Sequence, residues 1–164
     1  MKGKETEQAF SQRIMQKLEK FFRIETEVFS DCKSARIDAL LFDRENTKPI
    51  FGVEFKKPTH KTGVFLAKYC LQAQRYTQVK FLGQNIEVAI CPAISNNDFI
   101  QVLELERIDK RQWKATPYHS PSQTHTNVNS FLGTAFNICE LRFIDNQPFI
   151  IKNNKTLWNP NNNI

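Results

Sequence analysis

The chain has 164 residues, enough for one domain with a real core, and its 40% hydrophobic and 24% charged content excludes a disordered or fibrous polymer. A net charge of +6 and a sequence pI near 9.2 lean toward polyanions such as DNA or RNA, although solubility alone would account for the same charge. Four cysteines, at 32, 70, 91 and 139, form no Cys-x-x-Cys pair and have three histidines to help them, which argues against structural zinc. The charged N-terminus and the lack of a membrane-length apolar run point to a cytoplasmic chain with no membrane partner.

The chain then reads as one domain over 1–164, with no internal repeat and no dividing linker. Residues 5–22 predict an amphipathic helix, because Phe10, Ile14, Leu18 and Phe21 or Phe22 recur at steps of three to four. Glu7 falls on or beside its buried stripe, where it also suits the positive end of the helix dipole. Residues 23–29 predict a strand, with Ile24, Thr26 and Val28 alternating against Glu25 and Glu27. Residues 34–42 predict a second strand bearing one acid, Asp38.

The organising stretch is the third strand, Gly52-Val53-Glu54-Phe55-Lys56-Lys57-Pro58, bracketed by Pro49 and Pro58. Alternation puts Val53 and Phe55 on one face and Glu54 and Lys56 on the other. A hairpin through 43–48 brings Asp38 beside Glu54. Two carboxylates and a lysine are the raw material for holding a hard divalent cation. Taken alone, Glu54 and Lys56 also fit a surface ion pair of little energetic weight.

A second helix is expected over 60–81, with Gln72 and Tyr76 one turn apart on one face and Lys61, Lys68, Arg75 and Lys80 as its cations. Residues 85–94 predict a strand parallel to the third, since strand, helix, strand is a crossover unit. A strand is expected near 100–106, and 115–129 reads as a loop holding His119 and His125 as polar surface. A short helix over 130–136 and a hairpin of 137–143 with 148–152 close the chain; Trp158 packs, and the Asn-rich end frays.

The order helix, strand, Asp38 strand, Glu54-x-Lys56 strand, Gln72-x-x-x-Tyr76 helix, strand resembles the PD-(D/E)XK nuclease superfamily, in its RecB-type and phage or mobile-element branches. The resemblance covers about 5–95. Ile37 stands where many members have a proline before the aspartate, and 96–164 match no part of the pattern. The resemblance implies an α/β (α+β) fold with a restriction-endonuclease-like αβββαβ core, a central mixed sheet flanked by helices, and a C-terminal β-hairpin extension. It implies Asp38, Glu54, the Phe55 carbonyl and, as an auxiliary, Glu7 as ligands of Mg2+, with Mn2+ as substitute. Asp38, Glu54 and Lys56 would form the catalytic set, with Gln72 and Tyr76 in support. Lys57, Lys61, Lys68 and Arg75 would contact phosphates. The implied activity is hydrolysis of DNA phosphodiesters, with RNA as a further substrate class and a homodimer compatible with it. A non-catalytic nucleic-acid-binding protein on the same fold is the alternative. A carboxylate pair acting on a sugar is a third reading, disfavoured by Lys56 and the basic charge.

Overall fold

Thr6 starts the first helix: its Oγ1 accepts a hydrogen bond from the Ala9 amide at 3.0 Å and so satisfies one of the orphaned amides of the first turn. The helix, α1 (Glu7–Leu18), buries Phe10, Ile14 and Leu18 in a single stripe. It stops short of the predicted end because the Phe21 and Phe22 amides both turn back to the Leu18 carbonyl. That turn sets Phe22 against Trp158, ring centres 4.5 Å apart. The computed structural model describes residues 6–45, 47–56, 67–92, 100–101, 103–107, 113–117, 124–125 and 128–161.

Three antiparallel strands follow, β1 (Arg23–Phe29), β2 (Arg36–Phe42) and β3 (Pro49–Lys56). Helix α2 (Ala67–Thr77) carries the chain to β4 (Glu87–Pro92), which lies parallel to β3 as expected of a crossover. Two short pairs come next: β5 (Ile100–Gln101) and β6 (Leu103–Arg107) find their partners in β8 (Thr124–His125) and β7 (Trp113–Pro117), respectively. Helix α3 (Val128–Ala135) precedes β9 (Cys139–Ile144), β10 (Gln147–Lys152) and β11 (Lys155–Trp158). The chain is thus α+β around a seven-stranded mixed sheet of order β1-β2-β3-β4-β9-β10-β11.

Both faces of this sheet are covered, which is why Ala39, Leu40, Leu41 and Phe42 form an unbroken apolar run. The α1 face packs Phe10, Ile14 and Leu18 on Val53, Phe55, Ala89 and Leu141. The opposite face packs Cys70, Ala73 and Tyr76 of α2 and Val128 and Leu132 of α3 on Leu40, Phe42, Val88 and Ile90. Each fully buried large side chain, such as Phe55, contributes roughly 1.5–3 kcal/mol. A Cβ at Gly52 in β3 would strike Cδ1 of Ile37, which crosses above it and would have to shift.

Several sequence expectations change. The segment 115–129 holds the end of β7, all of β8 and the start of α3. Its strands owe their form to pairing with β6 and β5, and propensity does not record a partner. The C-terminal strands are no appendage: β9 pairs parallel with β4, so 139–158 completes the main sheet. Strand β11 occupies residues assigned no element by sequence. The expected start of the second helix, 60–66, lies outside the described residues. Among the described residues no helix is long and apolar enough to cross a membrane.

Candidate active site

Strict alternation would keep Val28 on the side of Ile24, and Ile37 on the side of Leu41. Instead Ile24, Ala39 and Leu41 face α1, while Val28 and Ile37 pack with Leu40 and Phe42 on the opposite face. Register is unbroken across the change, with Thr26 opposite Ala39 and Val28 opposite Ile37. Both strands therefore turn over together at Glu27 and Asp38. Glu27 takes up the kink at φ 50°, a left-handed conformation that costs a residue with a Cβ about 1–2 kcal/mol. The turnover brings Asp38 to the wall of a cleft on the α1 side.

The ladder between β2 and β3 runs from Phe42–Pro49 to Ala39–Val53 and ends there. Side chains then take over from backbone pairing. Glu54 Oε1 accepts from the Asp38 amide at 2.8 Å, and Asp38 Oδ2 accepts from the Phe55 amide at 3.0 Å. Each carboxylate is fastened to the strand that carries the other by a short, charge-assisted hydrogen bond. Lys56 Nζ stands 3.6 Å from Glu54 Oε2 and 4.9 Å from the centre of the Tyr69 ring. With the Glu54 side chain 3% exposed and Lys56 14%, this is a buried pair and not the surface ion pair that the sequence also allowed.

The charges are not balanced. Burial pushes the Glu54 carboxyl up to about 7, with the neighbouring charge of Asp38 adding to the rise; the Asp38 amide and Lys56 offset part of it. Two carboxylates with one ammonium form a site that an added cation would relieve. Tyr76, pushed up to about 12 by burial and by Glu54, donates to the Arg36 carbonyl at 3.0 Å and accepts from Gln72 Nε2 at 2.8 Å. This chain ties α2 to β2 two residues before Asp38. Gln72 is itself exposed and joins the site only through the tyrosine hydroxyl.

The cleft has a volume of about 500 Å³. Glu7, Gln8 and Gln12 of α1, Thr26 and Glu27 of β1, and Asp38 and Phe55 lie on its wall. Glu7 therefore lines the same cleft as Asp38. Glu54 and Lys56 flank Asp38 from the other face of β3. Among the described residues no group of three or more His, Cys, Asp or Glu is placed to hold a metal ion. The available donors are the Asp38 and Glu54 carboxylates and the Phe55 carbonyl. An all-oxygen set of this size suits Mg2+, which takes few protein ligands and keeps several waters.

Of the expected phosphate contacts, Lys57, Lys61 and the Lys68 side chain lie outside the described residues, as do His119 and the His125 side chain. Arg75 Nη2 reaches the Ser34 carbonyl at 3.5 Å, at the turn joining β1 to β2. Sequence reasoning missed Glu27. The signal was available: counting the β1–β2 hairpin register sets Glu27 opposite Asp38. Comparison with family models, with curated proteins and with solved structures gives no match for this chain.

Proposed function

We propose that the chain is a divalent-metal-dependent nuclease of the PD-(D/E)XK type, with a restriction-endonuclease-like core, that hydrolyses DNA phosphodiesters. The observation that carries this reading is the reciprocal lock of Asp38 and Glu54 on neighbouring strands, with Lys56 beside it. Such a lock spends a buried carboxylate, Glu54, and a half-buried one, Asp38, where backbone pairing alone would join the strands, and structure alone gives little return for that cost. Asp38, Glu54 and the Phe55 carbonyl would hold the ion, with Glu7 across the cleft. The chemistry a bound Mg2+ or Mn2+ supplies is stabilisation of charge on the phosphate and acidification of water. Lys56 orients water at the edge of the site and offsets phosphate charge with a compact ammonium. Tyr76 and Gln72 keep β2 in place. The +6 net charge favours a polyanionic substrate.

The test is a panel of linear, circular, nicked, flap and four-way DNA, with RNA beside it, incubated with Mg2+ or Mn2+. Cleavage that chelator abolishes, and that Asp38→Ala and Glu54→Ala abolish with the fold intact, is the expected result. Undiminished cutting by either variant would end the assignment. One observation favours a second reading, a nucleic-acid-binding protein without catalysis: no third acidic, histidine or cysteine ligand joins the pair among the described residues. Calorimetry separates the two. Salt-sensitive DNA binding without any Mg2+ or Mn2+ binding would favour the second.

A further inference from the structure

The pattern of Glu54-x-Lys56 occurs again in the same sheet, as Glu140-x-Arg142 on β9. Register places Glu54 opposite Ile90 and Ile90 opposite Glu140, so the two glutamates lie in one row across β3, β4 and β9. Strand spacing sets them about 10 Å apart. Cys139 and Leu141 face α1, so Glu140 and Arg142 share the opposite face with Glu54 and Lys56. The three strands are parallel; Glu54 and Lys56 lie at the carboxyl end of β3, where open α/β sheets bind ligands, and Glu140 and Arg142, in the first four residues of β9, are level with the carboxyl end of β4.

The second pair differs in one respect. Glu140 is 2% exposed, yet among the described residues its Oε1 has no hydrogen-bond partner, and neither does Arg142 Nε. The two atoms stand 4.0 Å apart, close enough to attract and too far to bond. Native interiors rarely leave such groups unmet. Nε itself is enclosed, and about a fifth of the Arg142 side chain reaches the surface, where an anionic oxygen from outside the chain can approach the guanidinium.

We propose that Arg142, steadied by the Glu140 carboxyl, is a second phosphate-binding position, which takes a phosphodiester flanking the one held at Asp38 and Glu54. This rests on the nuclease reading. Arg142 is a positioning residue here and Lys56 remains the cation beside the reacting phosphate. The pair thus makes the substrate a strand with at least two backbone phosphates, running from the carboxyl end of β3 past that of β4 to the first residues of β9, and a mononucleotide ester would be a poor substitute.

The experiment measures binding of a fluorescent DNA duplex in chelator across a salt series, for the wild type, Arg142→Gln and Arg142→Lys. One phosphate contact adds about 0.9 to the slope of log affinity against log salt. Arg142→Gln should lose about that much slope, with binding weakened about tenfold, and Arg142→Lys should recover the slope and part of the affinity. Should Arg142→Gln fail to fold, Glu140→Gln/Arg142→Gln removes both charges and must show the same loss. Wild-type slope and affinity in the folded glutamine variant would overturn the inference and leave the nuclease reading standing. A wild type that neither binds nor cuts DNA would overturn both.

Discussion

Two acid-x-base pairs sit in one row of one sheet, and the protein treats them in opposite ways. At β3, Glu54 is engaged on both oxygens, by the Asp38 amide and by Lys56, and it is answered by a second carboxylate from β2. At β9, Glu140 and Arg142 face each other at 4.0 Å, and among the described residues Glu140 Oε1 and Arg142 Nε have no hydrogen-bond partner. Both glutamates are pushed up by burial, Glu54 to about 7 and Glu140 to about 8. At Glu54 a like charge adds to the rise, whereas at Glu140 the only other influence, Arg142, opposes it. The lesson is that the same local motif is held in a fixed geometry where main chain meets it and is left with unmet hydrogen-bonding atoms where main chain does not.

The largest effect expected is on catalysis. Asp38→Asn and Glu54→Gln should each lower DNA cleavage by about 10²–10³-fold, by analogy with the loss of one preorganised electrostatic group. Glu140→Gln should cost far less, through weaker binding of the flanking phosphate, because it removes no group at the reacting phosphate. Equal losses in all three variants would erase the distinction between the two pairs.

Next in size is the pH dependence of stability, measured by denaturant unfolding in chelator. The native Glu140 carboxyl keeps its proton up to about 8, while in the unfolded chain it releases it near 4.5. The native state therefore binds more protons across that window, and stability falls as pH rises through it. Glu140→Gln removes this contribution. The stability of the variant relative to the wild type should rise, on the order of 4 kcal/mol, between pH 4.5 and pH 8. Parallel pH profiles would show that Glu140 is not held protonated. Glu54 acts with the same sign between 4.5 and about 7, so its fall should persist in the Glu140 variant.

Metal addition gives a smaller shift. A ligand that binds only the folded state at a hundred times its Kd adds about 2.7 kcal/mol. Mg2+ at pH 7 should raise the Tm of the wild type and of Glu140→Gln alike, and leave Asp38→Asn unmoved. A response that needs Glu140 would put the ion at the wrong pair.

How far these features could be read from the sequence depends on how local they are. The stripe Phe10, Ile14, Leu18 and the two-residue alternation of Val53 and Phe55 are properties of one segment, and both were legible. So was the approach of Asp38 to Glu54, which needs only a short hairpin. The turnover at Glu27 and Asp38 was not, because alternation read along either strand alone runs straight through it. Glu140 was missed for a related reason. A charged residue on a strand reads as solvent-facing until the sheet's other face is known to be covered, here by α3. Strand β11 has four residues, and its pairing with β10 gives it form.

The smallest prediction concerns where strain is stored. Glu27 sits at φ 50° in mid-strand, opposite Asp38, whereas neither Glu140 nor Arg142 has a positive φ. A glycine at an ordinary strand position weakens it by roughly 0.5–1 kcal/mol, because the unfolded chain gains freedom. At Glu27 the same change also relieves about 1–2 kcal/mol of left-handed strain. Glu27→Gly should therefore leave stability unchanged or raise it by up to about 1 kcal/mol, while Glu25→Gly, two residues away in β1, should lower it. Thermal melts of the two variants, run side by side, read the difference. Equal losses would mean that Glu27 bears no strain. The turnover that brings Asp38 to the cleft would then need another cause, such as the packing of Ile37 across Gly52.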